Sequence, residues 1–178
     1  MDTHDRSTLL EHLESGLREV LQGLQDISEV GALHRPSPKH WSILDCIEHL
    51  VFTEDYLFAR IQEATPSDKR VTNERREDAI LSRGMDRTRV IESPDLAKPH
   101  GKFSTLAQAR EAFVSARARS IHFVRAGNTD LRAQNAMHPL FGSVTCYEMM
   151  LMMAVHSRRH ARQIAECKSS MAFSQPPQ

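Results

Sequence analysis

Glu148-Met-Met-Leu-Met-Met-Ala-Val-His156-Ser-Arg-Arg-His160-Ala-Arg-Gln-Ile164 has the periodicity of one long helix. Met149, Met153, His156, His160, Ile164 and Cys167 recur three or four residues apart, which puts them on one face. His156 and His160 are one turn apart, so both rings can point the same way. A polar ring on a core-facing stripe needs a partner, since burying it unpaired costs a few kcal/mol. Two rings in register suggest one shared partner, and the simplest is a metal ion. Core or surface histidines with ordinary hydrogen-bond partners are the alternative.

Outward from this helix, three more amphipathic segments follow the same rule. Leu10, Leu13, Leu17, Val20, Leu21, Leu24 and Ile27 share a face over residues 8–29, opened by the capping-box pattern Thr8-Leu-Leu-Glu11. Trp41-Ser42-Ile-Leu-Asp45 opens a second helix that runs to about Ala64, with Ser42 as cap and Pro66 as stop. Leu44, Ile47, Val51 and Phe58 form its stripe, and Trp41, His49, Phe52 and Tyr56 lie on the adjoining side. His49 is therefore a third histidine on a largely apolar helix. A third helix opens at Ser104 or Thr105, where Thr105-Leu-Ala-Gln108 is another capping box, carries Leu106, Ala109, Phe113, Ala116 and Phe123, and ends at Gly127-Asn128. Thr145-Cys-Tyr-Glu148 caps the fourth, which runs to about Lys168.

The connections differ in character. Residues 31–40, with Pro36 and Pro38, read as loop. Residues 66–103 contain a charged stretch expected to form a short solvated helix up to about Arg83, with Gly84 ending it. An extended segment held by Pro94 and Pro99 follows. A connection this long between helices is unusual and often functional. Residues 128–144, including His138-Pro-Leu-Phe-Gly142, read as loop. Four helices of roughly 20 residues, each about 30 Å long, predict an all-α four-helix bundle. Residues 1–170 are expected to form a single domain, with 171–178 as a flexible C-terminal tail.

Composition narrows the function classes. Lys plus Arg and Asp plus Glu each number 23, so the chain lacks the basic excess that phosphate neutralisation on nucleic acid requires. No apolar run reaches the roughly 18 residues needed to cross a bilayer, and the polar start Met1-Asp-Thr-His4 is unlike a signal peptide. Cys46, Cys146 and Cys167 lack Cys-x-x-Cys spacing and read as reduced, buried thiols of a cytoplasmic protein.

Three imidazoles converging from two helices would suit Zn²⁺ or Ni²⁺ and leave a coordination position open. Ser157 follows His156, so the His-Glu-x-x-His motif and its built-in base are absent. Asp45 and Gln163, each about a turn from a candidate ligand, are the candidates for orienting an imidazole, although a cap and a surface side chain are equally good readings.

Trp41-Ser-Ile-Leu-Asp-Cys-Ile-Glu-His49, His138-Pro-Leu-Phe-Gly142 and His156-Ser-Arg-Arg-His160 together resemble the DinB-like superfamily, and more narrowly its DinB-2 branch. The stretch from Asp86 to Ser104, with its paired prolines, is similar to that branch's middle segment. The resemblance spans residues 8–168 and rests on the order and spacing of these motifs. It implies an up-down-down-up bundle whose long crossover contains a short helix between helices 2 and 3. It also implies a divalent metal held by His49, His156 and His160. Relatives include S-transferases dependent on a low-molecular-weight thiol, a maleylpyruvate isomerase and proteins described as metal-dependent hydrolases. The expected function is thus a bacterial metal-dependent enzyme, often a homodimer, activating a thiol or water against a small electrophilic substrate. A non-catalytic metal-binding or stress-related bundle is the alternative.

Other candidates carry plainer readings. Arg158, Arg159 and Arg162 fall off the histidine stripe and read as a solvated face. His138 and His40 read as hydrogen-bonded loop histidines, Trp41 and Tyr56 as core or cavity walls, and Met149, Met150, Met152 and Met153 as core.

Overall fold

Four long helices carry the architecture in the computed structural model, which describes residues 1–67, 71–88, 92–127 and 129–173. They are α1 (Thr3–Gly23), α3 (Ile43–Gln62), α5 (Leu106–Ala126) and α6 (Cys146–Phe173). Two short helices, α2 (Glu29–Ala32) and α4 (Glu74–Gly84), and a 3-10 turn at Asp95–Ala97 lie in the connections. No helix among the described residues is long and apolar enough to cross a membrane.

Contacts along the helices give their directions. Glu54 meets Arg117 and Phe58 meets Phe123, so α3 and α5 run the same way. Arg117 reaches Leu13 O while Arg6 reaches Gly127 O, so α1 opposes α5. Arg158 pairs with Glu19, and Gly23 lies against Ile164, so α1 and α6 are parallel. Trp41 O meets Cys167 near the start of α3 and the end of α6, so these two are antiparallel. The bundle therefore reads up, down, down, up, and residues 63–105 must cross from the end of α3 back to the start of α5.

The caps explain where these helices start. Ser42 Oγ accepts from Asp45 N at 3.1 Å, and Asp45 accepts from Ser42 N at 2.8 Å, completing the expected box. Thr145 and Glu148 do the same for α6, at 3.1 and 2.9 Å. Thr105 caps α5, and Gly127, at φ 66°, ends it in the left-handed region. Glu29 adds a cap from outside, its carboxylate accepting from Leu106 N and Ala107 N.

Several expectations are corrected. The Thr8 box does not open the first helix: α1 starts at Thr3, where Asp2 accepts from Asp5 N. Asp5 is buried against Arg132, a tertiary contact that extends the helix by a turn. The helix stops at Gly23 rather than near residue 29, and Asp26 takes φ 61° before Ser28 caps α2. Gly31 therefore sits inside a short helix instead of breaking one. The short helix α4 ends at Gly84 as expected, and the missing side chain there admits Val155 of α6. The last helix continues past Lys168, so Met171–Phe173 are helical rather than tail. Residues 68–70 and 89–91 of the crossover, Asn128 and the tail from 174 lie outside the described residues.

Residues 134–145 are not simply loop. Strands β2 (Gln134–His138) and β3 (Gly142–Thr145) form an antiparallel hairpin, and β1 (Thr65–Pro66) adds a short edge. Gly142, at φ 69°, supplies the turn conformation that side chains disfavour. Buried Arg132 anchors the sheet: its guanidinium pairs with Asp5 and Glu77 and lies 3.7 Å from the Tyr147 ring centroid.

Two apolar clusters fill the bundle. One gathers Leu9, Leu13, Phe58 and the α6 methionines Met149, Met150 and Met153 at the hairpin end. The other gathers Val20, Ile43, Ile47, Phe113 and Ile164 at the opposite end. Gly16 sets the α1–α6 approach between them. A Cβ there would lie 2.9 Å from Ala154 O and 3.2 Å from Arg117 Nη1. Gly16→Ala is therefore expected to lower stability by about 1–3 kcal/mol through overpacking, despite the roughly 1 kcal/mol that alanine adds in an open helix. Urea unfolding checks this; an unchanged or raised midpoint would remove close approach as the reason for glycine.

Candidate metal centre

α3 and α6 bring His49, His156 and His160 together at the boundary of the two apolar clusters. One ring nitrogen from each lies within 4.8 Å of the others. His156 Nε2 is 3.1 Å from His49 Nε2 and 3.0 Å from His160 Nε2. Nitrogens about 2.1 Å from a tetrahedral ion stand about 3.4 Å apart, near the two His156 spacings, while the widest separation in the cluster is 4.8 Å. His49 and His160 are each 5 % exposed and His156 is partly buried. Trp41 covers the cluster, its ring stacked 6.0 Å from His160 and tilted 4.8 Å from His49.

The hydrogen bonds assign the protons. His49 Nδ1 lies 2.7 Å from Ala97 O; a carbonyl only accepts, so Nδ1 carries the hydrogen and Nε2 turns its lone pair inward. Thr53 Oγ1 donates to His49 O at 2.8 Å, which leaves it as acceptor for His156 Nδ1 at 3.4 Å. His156 Nε2 is then also a lone pair, facing that of His49 at 3.1 Å. Two such lone pairs repel; a hydrogen on His160 Nε2, 3.0 Å from His156 Nε2, would meet one of them, and a cation would meet both. His160 Nδ1 is buried with no hydrogen-bond partner among the described residues, so neither tautomer of that ring is fully satisfied.

A proton is poorly suited to fill this gap. Burial holds all three imidazoles below their usual range near 6.5. At His49 the bond to Ala97 offsets part of the effect. At His156 the charges of His49, Arg159 and Arg117 add to it, and at His160 those of His156 and His49. Neutral imidazoles with converging lone pairs are the donor set that a divalent transition metal uses.

The crossover is buttoned onto this site. Glu48, 4 % exposed, accepts from His100 N at 2.7 Å and Lys102 N at 2.9 Å, next to the Ala97–His49 bond. A cavity of about 410 Å³ borders His49 here, between Phe52 and the stretch containing Lys98 and His100.

The remaining candidates fall elsewhere. Asp45 does not orient an imidazole: it closes the α3 capping box and pairs with Arg35 at 2.8 Å. Gln163 accepts from Arg87 rather than touching a histidine. The three arginines are not simply a solvated face. Arg158 pairs with Glu19, Arg159 is buried and donates to Asp86 O, and Arg162 donates to Met85 O, so the last two tie the crossover to α6. His40 bonds Ser37. His138 accepts from Leu140 N inside the hairpin. Burial pushes its pKa down to about 4. Tyr56 stacks on Phe52, one residue removed from the cavity. Thr53 and the Ala97 carbonyl join the site without belonging to any of the sequence motifs. Thr53 follows His49 by one turn, a readable signal; a main-chain carbonyl has none.

Bundle and cluster together define a class: a four-helix protein with three histidines, from two helices, gathered closely enough that they could hold a metal ion. The chain belongs to the DinB superfamily, whose family model matches residues 10–164. Two solved structures share the fold. One, described as TT2238, a four-helix bundle protein, is 17 % identical with a TM-score of 0.59; the match covers 90 % of this chain and 98 % of that one. The other is YfiT from Bacillus subtilis, described as a probable metal-dependent hydrolase with an unusual four-helix bundle topology. It is 15 % identical with a TM-score of 0.61, over 98 % of this chain and 91 % of that one. No curated protein matches the sequence.

Proposed function

We propose that His49, His156 and His160 hold a divalent metal, Zn²⁺ or Ni²⁺, and that the protein is a metal-dependent enzyme acting on a small electrophilic substrate. The observation that carries this reading is the pair of facing Nε2 lone pairs, His49 to His156 at 3.1 Å, whose tautomers Ala97 O and Thr53 impose. The description of YfiT as a probable metal-dependent hydrolase supports it. The metal would supply Lewis acidity, which makes a water or a low-molecular-weight thiol nucleophilic at neutral pH. The chain's own residues do the rest. Ala97 O and Thr53 hold the ring tautomers, Trp41 shields two rings from solvent, and Phe52 with the 97–102 stretch shapes a cavity beside His49.

A second reading, metal binding without turnover, is favoured by one specific feature. The cluster contains no carboxylate, and the neighbouring Glu48 is already occupied by two backbone amides.

Elemental analysis of the untagged protein beside His156→Ala tests the metal. About one Zn or Ni per chain is expected, with loss in the variant. A metal-free parent after reconstitution would end the proposal. Assays of the loaded protein on ester and amide panels, and on thiol-plus-electrophile pairs, then separate enzyme from binder.

A further inference from the structure

Arg117 of α5 touches none of the three histidines, yet it links all four long helices just beside them. It is fully buried. Its Nε and Nη2 donate to the two oxygens of Glu54 on α3, at 2.9 and 2.8 Å. Its Nη1 donates to Leu13 O of α1 at 2.9 Å. Its Nη2 also reaches Met153 O at 3.2 Å and the Ser157 hydroxyl, both on α6. Ser157 passes its own hydrogen to Met153 O at 3.0 Å, and Ser120 donates to Glu54 at 2.7 Å. Glu54 adjoins Thr53, which bonds His156, and Ser157 adjoins His156 itself.

A buried ion pair is weak evidence for stability, because apolar residues of like volume often do as well. It does add direction. Apolar packing is non-directional and permits small slides and rotations of one helix on another. A guanidinium bonded bidentately to one helix and to fixed acceptors on two others does not. Ligand rings need placement to within roughly 0.5 Å to share one ion.

We infer that Glu54, Arg117 and Ser157 form the positioning device of the three-histidine site, setting α6 against α3 so that His49, His156 and His160 converge. These are positioning residues and not catalytic ones. The inference rests on the metal-centre reading for its purpose, and its test separates the two.

The test compares the full-length parent with Ser157→Ala and Arg117→Lys, using Co²⁺ as probe at a temperature where circular dichroism shows each folded. Ser157→Ala leaves the Glu54–Arg117 pair intact, and Arg117→Lys keeps the charge but cannot reach every acceptor. Both are expected to bind Co²⁺ about 10–100-fold more weakly, the usual loss when support behind a ligand is removed, with altered visible absorption. Arg132→Lys, in the ion cluster beneath the hairpin, is the control for destabilisation. It should lower the melting temperature and leave Co²⁺ affinity and spectrum unchanged. Parent-like cobalt binding in the two positioning variants, or an equal loss in Arg132→Lys, would overturn the inference. Ring ¹⁵N signals of the three histidines in the metal-free proteins give a readout independent of metal. Should the parent take no cobalt, the metal reading fails on its own. Shifted signals in Ser157→Ala and Arg117→Lys alone would still support the positioning role, and unshifted ones would refute it.

Discussion

Arg117→Met should destabilise the protein by about 3–5 kcal/mol, the usual consequence of removing one partner from a buried ion pair. Among the described residues, the variant leaves Glu54, 3 % exposed, with only the Ser120 hydroxyl to meet its charge. Leu13 O and Met153 O lose their donor as well. Methionine fills much of the arginine's volume, so the loss is electrostatic and not a cavity effect. The double variant Arg117→Met with Glu54→Leu should recover a large part of it, because no unpaired charge then remains inside the bundle. Ser157 and Ser120 can still bond the carbonyls one turn back. Guanidinium unfolding of parent, single and double variants measures both effects. A single variant as stable as the parent, or a double variant worse than the single, would contradict this account.

Mild acid should weaken the metal-free protein steeply. His49, His156, His160 and His138 all have pKa values held down in the fold, chiefly by burial. In the unfolded chain each protonates near pH 6.5. As the pH falls below that value the unfolded state takes up protons that the folded state refuses. Stability is therefore fully present above about pH 6.5 and declines below it, by at most about 1.4 kcal/mol per pH unit for a histidine that stays neutral in the fold. The decline from His138 continues down to about 4, where its folded form also protonates. Between about pH 6.5 and 5 few carboxylates titrate, so the histidines dominate this window. Denaturant midpoints across it, for the parent and for His138→Gln, provide the check. The parent should fall throughout and the variant less steeply; a flat parent profile would show that these imidazoles are not held neutral by the fold.

Much of the fold was legible because the relevant rules are local. Helix periodicity located the four long segments, and the Ser42–Asp45 and Thr145–Glu148 pairs located two starts to the residue. The three histidines were visible because His156 and His160 broke an apolar stripe and His49 stood beside one on a largely apolar helix. The hairpin was missed because its strands are only five and four residues long and hang on Arg132, whose partners Asp5 and Glu77 are distant in sequence. Arg117 gave no warning: one arginine beside Ala116 reads as solvent-facing until three other helices enclose it. The Thr8 box misled because Asp2 offered an equally good cap and Asp5 found a buried partner.

By itself the sequence determined the helices, their apolar faces, two of the caps and the identity of the three candidate ligands, since all follow from spacings within one turn or one segment. Only the tertiary structure decided which nitrogens face inward, because Ala97 O and Thr53 are brought to those rings by the crossover and by helix packing. Only the tertiary structure also reassigned Asp45, Gln163 and Arg159 to holding the scaffold and placed Arg117 at its centre. A charged side chain's role is set by what surrounds it, and that environment comes from chain segments far away in sequence.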